Sequence, residues 1–332
     1  MMKKILLCLT LLAATADSDA QSGYKLVNTF SIASGGGWDY IAVHGNKLYV
    51  SHGNQVNILD KKTGDSLGVI PGTIGVHGIA FDDASGKGFT SNGRLNNVFV
   101  FDLKTNLVMD SIKTGENPDA IFYEDYSGKI ITCNGRSKDL TVIDPVKNKV
   151  VATIQLTGKP ETAVSDGAGK VFVNNEDKSE IVVVDIKNYK VMANWSIAPG
   201  EEPSGLSIDR STKRLFAGCD NRMLVVVNAT NGKIVSKQPI DDGCDGTAFN
   251  SKLQYVYSSN GEGSLTVIEE LSRDNFKVLE NLRTQKGART LCVDPESGNV
   301  FLPTADFEPN TPEGQWPKMI PGTFRVLVYA KK

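Results

Sequence analysis

The chain has 332 residues and is poor in cysteine, in long apolar runs and in excess charge of either sign. Five cysteines, none of them in a C-x-x-C pair, argue against a paired-thiol zinc site and are too few for a disulfide framework. Lys and Arg number 36 against 38 Asp and Glu, a net charge of −2, so a broad basic surface for nucleic acid has no support, and only a local patch stays open. No Gly-rich phosphate loop, nucleophile–base motif or strong metal motif is visible. One apolar stretch stands out, Ile5 to Ala14, and it is too short for a stable bilayer anchor.

That stretch follows Lys3 and Lys4 and precedes the small residues Ser18 and Ala20, the pattern of a secretory leader cut near Ala20. Residues 1–20 are therefore expected to be a signal peptide, and the mature chain periplasmic or secreted, with no transmembrane segment. Cys8 lies inside the apolar stretch, the wrong setting for a lipid anchor. Export would permit disulfides among the four remaining cysteines.

What the chain has in abundance is glycine, 32 residues, much of it at regular intervals. β-rich runs end in a polar residue at Asp60, Asp102, Asp144, Asp185, Asn228 and Glu269, steps of 42, 42, 41, 43 and 41. A seventh copy, Arg325 to Tyr329, follows a longer gap. Each run is preceded by a second, such as Lys47 to Ser51 or Lys129 to Cys133, often after a Ser-Gly turn. A third run lies earlier still, in places after Gly-x-x-Pro, and a fourth follows the polar end point, as in Val150 to Ile154. Four short strands in about 40 residues make one blade of a β-propeller. Such a unit buries both faces only between neighbours, which a ring supplies. A helical solenoid, the alternative, would need shorter rungs with one or two strands each.

With strands named a to d from the axis outward, the last repeat supplies a, b and c and then the chain ends. A surplus strand, Tyr24 to Ile32, precedes the first repeat and matches the fourth run. The expected fold is all-β: a seven-bladed propeller over residues 21–332, four antiparallel strands per blade, the N-terminal strand completing the last blade beside Val326 and Val328. This pairing removes two open edges.

The Val-rich run ending in an acid (Leu140-Thr141-Val142-Ile143-Asp144), the Gly-x-x-Pro motif and the Ser-Gly-Lys turn resemble the YVTN-type β-propeller repeat proteins, the YncE-like exported bacterial group. The resemblance covers nearly all of the mature chain. It implies a periplasmic or secreted propeller, usually without an assigned reaction. Members of that group have cell-surface roles and, in one branch, bind nucleic acid; sequence-similar propellers include sugar lactonases.

In a propeller of this order the d-to-a and b-to-c loops share one face, and the starts of the a strands meet at the channel mouth. Those positions carry Trp38, Asp39, His77, Asp119, Glu161, Ser204, Asp245 and Arg289, with His52, Asn92, Arg94, Asn134, Arg136, Asn175 and Asn260 on the b-to-c loops. They form the candidate pocket for a small polar ligand. His77, Asp119, Glu161 and Asp245 are candidate metal ligands, and the carboxylates suit a divalent cation such as calcium. Alternatively, polar residues merely solvate a wet channel. Cys219 and Cys244, in neighbouring blades near the same face, could form a disulfide or stand as two buried thiols. Cys292 and Trp195 are expected to pack in the core, and His44 to face solvent. An insertion at 305–322, with four prolines, Phe307 and Trp316, should lie over the channel face as a lid, a docking loop or decoration.

Three functions follow. The favoured one is a monomeric binding or interaction scaffold of the cell envelope, taking a small polar ligand or an envelope protein. The second is a metal-dependent hydrolase of lactonase type using the channel carboxylates. The third is single-stranded nucleic-acid binding through Arg94, Arg136, Arg289 and Trp316, against which the acids on the same face argue.

Overall fold

The computed structural model describes residues 22–309 and 318–332, so the leader over residues 1–20 and Trp316 lie outside the described residues. Seven four-stranded antiparallel sheets form a ring. Blade 1 spans 38–71, blade 2 76–113, blade 3 118–155, blade 4 160–196, blade 5 203–239 and blade 6 244–283. Blade 7 takes its strands a to c from Cys292–Val293, Val300–Thr304 and Arg325–Lys331, and its outermost strand from Tyr24–Ser31. No helix among the described residues is long and apolar enough to cross a membrane.

Strands b and c are apolar along most of their length because a neighbouring blade covers each face. Val56, Ile58, Val98, Val100, Val182 and Val184 are all fully buried. Seven hydrophobic clusters result, one at each junction between blades. The polar residue ending each c strand has a separate task. Asp60 accepts hydrogen bonds from the backbone N–H groups of Lys62 and Thr63 at 2.8 and 3.0 Å, and Asp102, Asp144 and Asp185 do the same one repeat on each time. These bonds close the turn into strand d. They also hold Asp60, Asp102 and Asp144 below the usual carboxylate range.

The N-terminal strand pairs antiparallel with Arg325–Lys331, Phe30 opposite Val326 and Asn28 opposite Val328. The register shifts by one residue between Leu26 and Asn28. That bulge reverses the alternation of side chains along the strand. Tyr24 therefore turns to blade 6, its hydroxyl 2.7 Å from that of Tyr257, while Phe30 turns the other way into the cluster shared with blade 1. Lys61 of blade 1, buried, completes the seam with Asp294 at 3.1 Å and Glu296 at 2.7 Å in blade 7.

Cys219 and Cys244 are both free, which corrects the possible bridge. Successive residues of a strand face opposite sides. Cys244 lies against Gly218 in the blade 5–6 cluster, so Cys219, the next residue, points into the blade 4–5 cluster. Trp195 packs on Phe172 of the same blade, on the face turned to blade 5, and Cys292 packs at the blade 7–1 seam. His44 is not simply exposed: it stacks on Phe81 and lies 2.7 Å from Asp83.

Two outcomes test this packing. Phe30→Ala should lower unfolding stability by about 3–5 kcal/mol, as for a fully packed aromatic, in urea titration of the whole ring. Glu270, buried at the end of strand c of blade 6 on the face away from the mouth, has its carboxyl pushed by burial from 4.5 up to about 7, with the Asp209 charge adding to the effect. A folded-state value above the unfolded one contributes stability below pH 4.5 that is lost as pH rises through about 7. Glu270→Gln should therefore be more stable than wild type at pH 8, by up to about 3 kcal/mol, with the difference vanishing at pH 4 in thermal melts.

Candidate functional site

The second residue of each a strand, or its equivalent before the short strand of blade 7, points into the head of the channel. These are Asp39, His77, Asp119, Glu161, Ser204, Asp245 and Arg289. Hydrogen bonds between blades hold the chain here. Ser259 of blade 6 donates to the Arg289 carbonyl, Thr290 donates to the Asp39 carbonyl at 2.7 Å, and Asn174 donates to the Ser204 carbonyl at 3.2 Å. Ser91 donates a short bond to the Asp119 carbonyl.

The next residue along each a strand is small in six blades: Gly78, Ala120, Thr162, Gly205, Gly246 and Thr290. A side chain at Gly205 would put Cβ 2.6 Å from the Thr247 backbone nitrogen of the next blade, so the inner strands can pack this closely only around glycine. In blade 1 the residue is Tyr40. Its ring crosses the axis to the blade 3–4 cluster, and its hydroxyl lies 3.3 Å from that of Thr162. Tyr40 thus floors the polar cup. Burial, and then the surrounding carboxylates, raise its pKa well above 10.

The polar ring divides into three groups. His77 Nδ1 lies 2.5 Å from Asp39 Oδ2 and 3.6 Å from Asp119 Oδ1. Ligand atoms of these three residues all fall within 4.8 Å of one another. Arg289 Nε contacts Asp245 Oδ2 at 2.8 Å, its Nη2 lies 3.7 Å from Asp39 Oδ1, and Ser204 donates to Asp245 at 2.6 Å. Lys159 Nζ lies 3.1 Å from Glu161 and also pairs with Glu176. Burial pushes the Asp119 and Glu161 carboxyls well up, and their neighbours' negative charges add to it. Burial also raises Asp245, against the opposing Arg289 charge. Arg289 keeps a raised pKa because Asp245 and Asp39 outweigh its own burial.

Glu161 and Asp245, predicted as metal ligands with His77 and Asp119, are thus each engaged by a basic side chain, and Asp39 takes their place beside the imidazole. The b-strand ends serve the fold. Asn134 donates to Asp139 at 2.7 Å and Thr141 at 2.8 Å, and Asn260 donates to Ser264 and Thr266 at 3.0 Å. His52 is fully buried, stacked on Phe324, with Nε2 2.7 Å from the Gly36 carbonyl; burial lowers its pKa to about 4. Arg94 and Arg136 are exposed on the same face and form no ion pair among the described residues.

Beside the cup, across blades 6, 7 and 1, lies a cavity of about 660 Å³. Trp38, Phe307 and Met319 wall it, Arg289 lines it, and Asp242, Glu262 and Lys286 also border it. Arg222 lies 3.1 and 3.2 Å from Asp242 and Glu262 and offsets one of their two charges. Loops meet here backbone to backbone: Gly261 N–H donates to the Gly243 carbonyl, and Gly287 N–H to that of Gly261, both at 2.7 Å. The base of the 305–322 insertion is a short antiparallel ladder joining Phe307 to Met319, pinned through Asp306 to Gln285 and Arg325.

Sequence reasoning missed Tyr40, Thr162, Lys159 and Met319. Tyr40 did leave a signal, as the one bulky residue in a column of small ones.

No protein-family model matches the chain, and no curated protein matches it. Among solved structures, a chain of Kuenenia stuttgartiensis hydrazine synthase superposes with a TM-score of 0.71 at 16% identity, covering 80% of this chain and 92% of that one. At that identity the likeness shows the fold alone, a β-propeller; the resemblance to YVTN-type repeats has no family match behind it.

Tyr40→Ala should cost about 3 kcal/mol or more in urea unfolding by emptying the axis. Tyr40→Phe should cost less than about 1.5 kcal/mol, because the ring still fills the space.

Proposed function

We propose that this protein is an exported binding propeller of the cell envelope that takes a small polar ligand at the channel mouth. The observation that carries the reading is the cavity of about 660 Å³ with an apolar wall of Trp38, Phe307 and Met319 against charged residues. Its size falls within the range of small-molecule sites, about 300–1,000 Å³, and its mixture of apolar and polar lining is what such sites use. A ligand with one flat or apolar face suits this wall. Arg289 is already committed to Asp245 and Asp39, so a neutral polar solute such as a sugar fits better than a strong anion.

The second reading, a hydrolase of lactonase type, is favoured by the convergence of Asp39, His77 and Asp119. Pairing of Asp245 with Arg289 weighs against a fully carboxylate-lined reaction centre. Single-stranded nucleic acid is disfavoured by the carboxylates at the head of the channel.

A thermal-shift screen of sugars, lactones, aromatic acids and oligonucleotides tests these readings. A cavity ligand should stabilise the protein, and Phe307→Ala should weaken its binding at least tenfold, or about 1.4 kcal/mol. Turnover of a lactone would favour the hydrolase. Binding untouched by Phe307→Ala and Met319→Ala would remove the cavity as the site.

A further inference from the structure

Charge at the head of the channel does not balance. Four carboxylates, Asp39, Asp119, Glu161 and Asp245, share two basic side chains there, Arg289 and Lys159. Arg289 lies against Asp245, with Nη2 3.7 Å from Asp39, and Lys159 lies against Glu161, which leaves Asp119 without a basic side chain, across His77 from Asp39. Asp119 is 7% exposed, and its Oδ1, the oxygen turned toward His77 Nδ1, is buried without a hydrogen-bond partner. A buried carboxylate oxygen in that condition is costly unless a cation or donor meets it.

We propose that Asp39, His77 and Asp119 hold a divalent first-row transition-metal cation at the head of the channel. The three ligand atoms come from matching positions on the inner strands of three consecutive blades and lie within 4.8 Å of one another. The ring itself sets that spacing. One imidazole nitrogen with two carboxylates suits manganese, iron, cobalt or zinc. Calcium takes six to eight oxygens, and a nitrogen at the centre of the set tells against it. The cation would satisfy the stranded Asp119 oxygen and supply the missing positive charge. Three protein ligands leave coordination positions for water or a ligand atom. The inference extends the reading of the mouth as a binding site, since Arg289 both lines the cavity and approaches Asp39.

Chelator-stripped protein should be dialysed against Zn²⁺, Mn²⁺, Co²⁺ and Ca²⁺ and its metal content measured. One equivalent of a transition metal is expected, with Ca²⁺ far weaker. His77→Gln and Asp119→Asn should each weaken binding by at least about 100-fold, while His44→Ala, at a surface histidine–aspartate pair, should leave it unchanged. The chain has only three histidines, so ring NMR signals of the wild type read the site without any variant. Zn²⁺ should shift the His77 ring and leave His44 and His52 in place. Absence of saturable binding, preference for Ca²⁺, or a shift confined to His44 would overturn the proposal. Cavity binding measured in chelator and lost in Phe307→Ala, together with no metal uptake, would sink this inference alone. Metal uptake without any cavity ligand would instead sink the proposed function.

Discussion

The ring depends on one antiparallel pairing, Tyr24–Ser31 on Arg325–Lys331. Every other blade is continuous in sequence and could form locally. Blade 7 cannot, because its outer strand lies about 300 residues from its neighbour, and closing so long a loop costs entropy that the seam must offset. The bulge near Val27 lets one short strand do this. It sends Tyr24 into the blade 6 side and Phe30 into the blade 1 side, so both faces of the closing sheet are occupied. Without the shift both aromatics would face one neighbour and the other junction would lack its filler.

The same seam carries the candidate site. Trp38 and Phe324 pack 5.3 Å apart where blade 1 meets blade 7, and Phe307, 6.0 Å from Trp38, extends that aromatic surface toward the cavity. His52 is locked beneath by Ser34, Gly36 and Phe324, and its burial keeps the ring neutral near pH 7. The cavity wall is thus the exposed continuation of the core that closes the ring. A chain opened at the seam would lose fold and cavity together, whereas Phe307 and Met319 stand at the edge of the seam, half-buried against its cluster.

Most of the fold was legible because each repeated element has one physical cause. The Val-rich runs reflect burial on both faces, and the acids at Asp60, Asp102, Asp144 and Asp185 reflect turn N–H groups that need an acceptor. The missing fourth strand of blade 7 was countable. At the site, the ring positions from Asp39 to Arg289 were legible from the same alignment of repeats. Which acid pairs with which cation was not, since Lys159 reaches Glu161 from a loop and Arg289 chooses Asp245 over Asp119 by side-chain reach. The asparagines closing strand b looked like ligands for the opposite reason: their polar partners lie within their own hairpin, only a few residues away. The cysteines stayed open between a bridge and two buried thiols because proximity of blades was read without strand parity.

Arg289 links the two halves of the mouth. It lines the cavity, donates to the Trp38 carbonyl at 3.1 Å, and compensates Asp245 at 2.8 Å. A ligand anion that drew the guanidinium away would leave a buried carboxylate unpaired, and breaking such a pair is strongly unfavourable. Asp245 has Ser204 as its other partner, a neutral donor that cannot replace the lost charge. The guanidinium is therefore a fixed wall more than a mobile receptor. On the proposed binding reading, selectivity at the mouth would rest on shape against Trp38 and Phe307 and on whatever polar group can approach Asp39, His77 and Asp119 from above. The proposed ligand would then set its apolar face on the blade 7–1 seam and its polar end on the channel axis.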